Sequence, residues 1–237
     1  MRRGFVARMV AAGIVAGSAY AAPASATPIS VALQVGSSFT LAGVTVSVTA
    51  CALTVANANV GCPSGLTLVG DNTMGAGGAP QVTATIMRGD GSAPIFDALG
   101  GYAGVNDLSL TLTAMTVGGV KTIKSAALTM NGSADTAANL QYIGAGESVI
   151  GMPGGSFGPL NAVAGGPTQK VAFAPTSGLM LVKDINDRTA SAAIGSGHMI
   201  VTSVGQSYGL VPEPASLALL LTGMASIGLI RRRRRAI

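Results

Sequence analysis

Leu108-Ser109-Leu110-Thr111-Leu112-Thr113-Ala114-Met115-Thr116 is the stretch whose reading decides the fold. Leu108, Leu110, Leu112 and Ala114 share one phase of a period-two pattern, and Ser109, Thr111 and Thr113 share the other. That alternation is the mark of a strand with one apolar and one polar face. Gly118-Gly119 follows, and two glycines at the centre of a turn accept the positive φ of a tight hairpin. The pattern therefore predicts a second strand from Val120 to Met130, ended by the turn signal Asn131-Gly132.

The alternation recurs on both sides. Val31, Leu33 and Val35 carry it, then Val44, Val46 and Val48, then Val82, Ala84 and Ile86. Further short strands are expected near Lys170 to Ala174, Gly178 to Ile185 and His198 to Val204. One Gly-rich loop is expected from Gly70 to Pro80. Residues 144–167 hold eight glycines with Pro153, Pro159 and Pro167, and read as a long irregular loop or edge excursion. Ser133 to Tyr142 is the segment able to make about two turns of helix. Many short strands separated by glycine turns predict a single all-β domain, sandwich-like or barrel-like.

Charge by segment removes a nucleic-acid reading. The chain carries a formal +5, but residues 1–26 and 211–237 supply +7 of it. Residues 27–210 hold six Lys or Arg against eight acids, a balance of −2. No basic patch is present to bind phosphates. These scattered charges, Glu147 and Lys183 among them, are expected on solvated strand faces and turns. Cys51 and Cys62 are the only cysteines. Their short spacing in an exported region predicts a disulfide.

The search for chemistry assigns no catalytic, cofactor or metal residue. Gly154-Gly155-Ser156-Phe157-Gly158 has the form of a nucleophile elbow, with Asp184 or Asp187 and then His198 in hydrolase order. That motif requires a strand, a sharp turn and a helix. Pro159 and Gly165-Gly166-Pro167 leave no room for the helix, so a secreted serine hydrolase using Ser156 is a remote alternative. Asn106-Asp107 and Asp184-Ile185-Asn186-Asp187 offer hard oxygen ligands without EF-hand spacing, and read as turn chemistry. They keep a calcium-dependent or glycan-binding module as a second alternative. Tryptophan is absent, and Tyr102, Tyr142 and Tyr208 are the only tyrosines after residue 26, so aromatic platforms for a sugar are few.

The two ends address the protein to a membrane. Arg2, Arg3 and Arg8, an apolar stretch from Met9 to Ala16 and then small residues form a secretory signal. Cleavage by signal peptidase is expected after Ala26, with Ala21 as the competing site. Arg2-Arg3 also resembles part of a twin-arginine signal. At the other end stand Val211, Pro212, Glu213 and Pro214, then sixteen uncharged residues from Ala215 to Ile230, then Arg231, Arg232, Arg233, Arg234 and Arg235. The prolines bias Val211 and Glu213 toward extended backbone. Sixteen helical residues would span about 24 Å, and snorkelling arginines would cover the remainder of a ~30 Å core. The positive-inside rule keeps the arginines cytoplasmic and places the rest outside.

This tail closely resembles the PEP-CTERM sorting signal of bacterial exported proteins: a Pro-Glu-Pro motif, a short hydrophobic span and a basic terminus. The resemblance covers about a ninth of the chain. It implies passage through the export translocon of a Gram-negative bacterium, then processing by a membrane-embedded exosortase, with release or attachment at the surface of an exopolysaccharide-producing cell. The expected organisation is a signal peptide over residues 1–26, an all-β domain over 27–205, a spacer over 206–210 and the sorting signal over 211–237. Within the last, the motif is 211–214, the transmembrane helix 215–230 and the Arg-rich tail 231–237. The expected role is non-enzymatic, structural or adhesive contact with exopolysaccharide or another protein in a biofilm matrix.

Overall fold

A computed structural model describes residues 27–55, 58–75, 79–89, 91, 93–99, 105–119, 121–134, 142–188, 198–212 and 222–224. The expected signal helix with Ala26, Glu213 and Pro214, nearly all of the expected transmembrane span and the arginines 231–235 lie outside these residues; of the helical candidate Ser133 to Tyr142, residues 135–141 lie outside them, while Ser133, Ala134 and Tyr142 belong to strands. Thr222–Met224 forms one short helical turn, and among the described residues no helix is long and apolar enough to cross a membrane.

The domain is all-β: two seven-stranded antiparallel sheets face each other as a sandwich. In chain order the strands are β1 (Ile29–Ala32), β2 (Ser38–Leu41), β3 (Val44–Val55), β4 (Ala58–Asn59), β5 (Leu66–Met74), β6 (Pro80–Arg88) and β7 (Phe96–Leu99). Then come β8 (Val105–Thr116), β9 (Lys121–Ala134), β10 (Tyr142–Met152), β11 (Ser156–Val163), β12 (Gln169–Thr176), β13 (Gly178–Arg188) and β14 (His198–Pro212). One sheet has the order β1-β5-β6-β14-β9-β12, with β7 also paired to β14. The other has the order β11-β10-β13-β8-β3-β2, with β4 on β3.

Alternation builds the core between the sheets. Val44, Val46, Val48, Val82, Ala84, Ile86, Leu108, Leu110, Leu112 and Ala114 are all buried, as their phase requires. Val35 departs from its expected phase. β1 ends at Ala32, residues 33–36 turn, and Val35 stands in solvent. The long side of the sandwich at β11 and β12 is closed by Phe157 stacked on Phe173, with ring centroids 4.2 Å apart.

The structure differs from the local reading at five further places. Gly118 and Gly119 do turn the chain with positive φ, but β8 and β9 do not pair. Both edges of β8 are taken by β3 and β13, so the chain crosses to the other sheet, where β9 pairs with β14 and β12. Asn131-Gly132 does not end β9; it lies inside the strand, beside a register shift in β14. A Cβ on Gly132 would collide with the Ile200 carbonyl oxygen, so this glycine serves a close strand approach. Residues 144–167 form no long loop. They hold the larger part of β10, all of β11 and the turns that follow them, because Ala145, Glu147 and Val149 alternate inward between the glycines. Gly70 to Met74 likewise belongs to β5, not to a loop. The strands expected near 170, 178 and 198 are present and longer. The expected spacer, 206–210, is part of β14, with Gln206, Tyr208 and Leu210 buried, so the domain extends to Pro212.

Candidate functional site

The disulfide between Cys51 and Cys62 is present, with Cα atoms 5.1 Å apart. Cys51 lies on β3, and Cys62 follows the short strand β4 that pairs back onto β3. The bond staples this small ribbon beside the core at the point where the chain leaves one sheet for the other.

The motif expected to be processed begins inside the fold. Val211 and Pro212 are the last residues of β14, opposite Thr122 and Lys121 of β9. The hydrolase arrangement is not brought together. Ser156 is exposed at the start of an edge strand, and no helix follows it. It pairs with Ile150, which in turn faces Met180. Asp187 is seven residues further along β13, roughly 24 Å at the strand rise. His198 is on β14 in the opposite sheet. Asn106-Asp107 and Asn186-Asp187, far apart in sequence, become direct cross-strand partners on β8 and β13. Among the described residues no three His, Cys, Asp or Glu side chains converge on a metal position.

The cluster that stands out was assigned to the surface on sequence. Lys183 is 1% exposed and Glu147 is 3% exposed. They are cross-strand partners on β13 and β10, and the Lys183 Nζ donates to Glu147 Oε2 in a buried salt bridge. The same nitrogen donates to Gln206 Oε1 at 2.5 Å. Gln206, itself fully buried, comes from β14 of the facing sheet, so the three side chains bridge the interior of the sandwich. Their register neighbours are Leu110 and Leu160 in one sheet and Ala84 and Leu128 in the other, all buried.

This environment is costly for charge. Removing an ammonium or a carboxylate from water costs several kcal/mol per ion unless partners compensate. Burial pushes the Lys183 amine down from its ordinary 10.5 to about 7, since a dry site disfavours the protonated form. Among the described residues Glu147 Oε1, Gln206 Nε2 and the Tyr208 hydroxyl have no hydrogen-bond partner. Tyr208 lies two residues along the same inward face of β14, and burial pushes its hydroxyl upward.

The sequence carried a usable signal for this cluster. Leu179, Leu181, Lys183 and Ile185 share one phase, as do Ala145, Glu147 and Val149. A charge on the apolar phase of a strand marks a buried charge. Reading charge by residue type placed both groups in solvent, and strand phase corrects that.

The chain matches no family model, no curated protein and no solved structure.

Proposed function

We propose that this is an exported, exosortase-processed protein of the cell surface or extracellular matrix, with a structural or adhesive role beside exopolysaccharide. The observation that carries the reading is the order of the tail: Val211-Pro212-Glu213-Pro214, sixteen uncharged residues and five arginines. An ordinary anchor needs neither the prolines nor their position directly against the span. A disulfide-bonded β-sandwich suits the oxidising side of a membrane. Apolar strands rich in Thr, Val and Ala suit a framework that makes contacts instead of turning over a substrate. Because β14 runs to Pro212, the first two residues of the motif belong to the folded domain and no spacer separates the two.

The test is the C-terminus of the protein in its native cell. Intact mass and peptide mapping of membrane-bound and released forms, with and without the exosortase, decide it. A mature form ending near Pro214, lost with the enzyme, supports the reading. Full-length protein retaining Arg231 to Arg235 in both strains refutes it and leaves an ordinary anchored protein.

A further inference from the structure

Lys183, Glu147 and Gln206 place an amine, a carboxyl group and a carboxamide within hydrogen-bonding reach in a dry interior. A salt bridge at a surface explains itself by solubility, but this one joins neighbouring strands of one sheet on their buried face, against Gln206 of the other sheet. The three groups are the reactants and the proton carrier of an amide exchange. The geometry points to an intramolecular isopeptide bond between Lys183 Nζ and Gln206 Cδ, formed by the folded protein itself with Glu147 moving the protons.

The distances permit attack. Gln206 Oε1 is 2.5 Å from Nζ, and a carbonyl carbon lies ~1.2 Å from its oxygen, so Cδ is within about 3.7 Å of the nitrogen. That is close to the ~3–3.5 Å of a reactive pose, and fixed proximity of this kind is what makes a poor electrophile such as an amide react.

The step balances within the three side chains. One proton passes from the Lys183 ammonium to the Glu147 carboxylate, which leaves two neutral groups and relieves the buried charge. Lys183 Nζ then attacks Cδ, and the carbonyl electron pair moves onto Oε1. Glu147 delivers its proton to Nε2 and, now a carboxylate, takes one from Nζ. The Cδ–Nε2 bond breaks as the carbonyl re-forms, and ammonia leaves. One C–N bond forms and one breaks, nothing is oxidised or reduced, and Glu147 ends as it began the attack. Burial favours the first transfer, since it holds the Lys183 amine down to about 7. The Nε2 atom of Gln206 has no hydrogen-bond partner among the described residues to retain it.

Glu147 is the competing acyl group, and condensation with it would release water. Spending Glu147 as the acyl group would leave no group to carry the protons between Nζ and the leaving group. Bonding to Gln206 also joins β13 to β14 across the core, whereas β13 and β10 are already hydrogen-bonded neighbours. The inference does not rest on the export reading; bond formation requires only the folded sandwich.

Intact mass of the folded full-length protein, with its termini determined, tests this. The expected mass is lower by one ammonia than the disulfide-bonded sequence, and a digest should give a branched peptide joining the Lys183 and Gln206 segments. Lysine-directed cleavage at Lys183 should fail. Gln206→Leu keeps the Lys183–Glu147 pair and should retain full mass with a protease-resistant fold. Glu147→Met should also retain full mass. An unshifted wild-type mass with Lys183 open to acetylation after unfolding overturns the inference. Loss of water with a Lys183–Glu147 branch overturns the choice of partner. Ammonia loss persisting in Glu147→Met overturns the role of Glu147.

Discussion

Replacing Lys183 with methionine keeps the length of the side chain and removes its charge. Glu147, whose side chain is 0% exposed, is then left without its cation. Removing one member of a buried pair typically costs about 3–5 kcal/mol. The double change Lys183→Met with Glu147→Met fills a similar volume with apolar atoms, and such replacements run from neutral to stabilising by about 1–4 kcal/mol. Both variants leave Gln206 without Lys183 and both lack the proposed cross-link, so those contributions cancel between them. The double variant should therefore be more stable than the single one by about 3 kcal/mol. For a domain of this size about 2–4 °C in Tm accompanies each kcal/mol, which gives a difference of roughly 6–12 °C. Urea unfolding and thermal melts followed by circular dichroism measure both. A single variant as stable as the double one would mean that water reaches Glu147, and the dry-cluster argument would fail together with the chemistry built on it.

Three further outcomes are expected. Changing Cys51 and Cys62 together to alanine opens a loop with a sequence separation of 11 and should cost about 3 kcal/mol in urea unfolding; an unchanged midpoint would show that the bond contributes nothing. Gly132→Ala should cost about 2–3 kcal/mol, because its methyl group meets the Ile200 backbone of β14, whereas a loss under about 0.5 kcal/mol would place Gly132 outside a close strand pair. In Glu147→Met the unlinked Lys183 should titrate near 7 when folded and near 10.5 when unfolded. The unfolded chain then binds more protons between those values, so stability should rise with pH across that window by up to about 1.4 kcal/mol per unit. Wild-type protein carrying the amide has no such amine, and an equal slope in both proteins would contradict the link.

What could be read from the chain was local. Leu108 to Ala114, Val44 to Val48 and Val82 to Ile86 announce half-buried strands, since side-chain phase is a property of consecutive residues. Which strands meet is not local. Gly118-Gly119 specifies a turn but not whether the chain returns along β8 or crosses to the other sheet, and the edges of β8 are filled by β3 and β13. Glycines at 144, 146 and 151 look like loop composition until Ala145, Glu147 and Val149 between them are seen to carry the buried phase. The proposed sorting residues stand out because their order is compressed into one short tail. The Lys183, Glu147 and Gln206 site is drawn from three strands, two of them in one sheet and the third across the core. Phase alone could mark Lys183 and Glu147 as inward, but nothing in the sequence placed Gln206 against them.

Strand β14 also sets the order in which the domain can assemble. Among the described residues its neighbours β6 and β9 reach each other only through it, and β7 pairs with no other strand. Until residues 198–212 arrive, one sheet exists as two separate halves, β1-β5-β6 and β9-β12. Chains are made from the N-terminus, so the piece that unites the sheet emerges after every other described strand, and pairings this distant in sequence are slow to form. That sheet therefore stays open until β14 is added. A translocon that threads unfolded chains would meet little resistance from this protein, and the step that completes the sheet also brings Gln206 to Lys183.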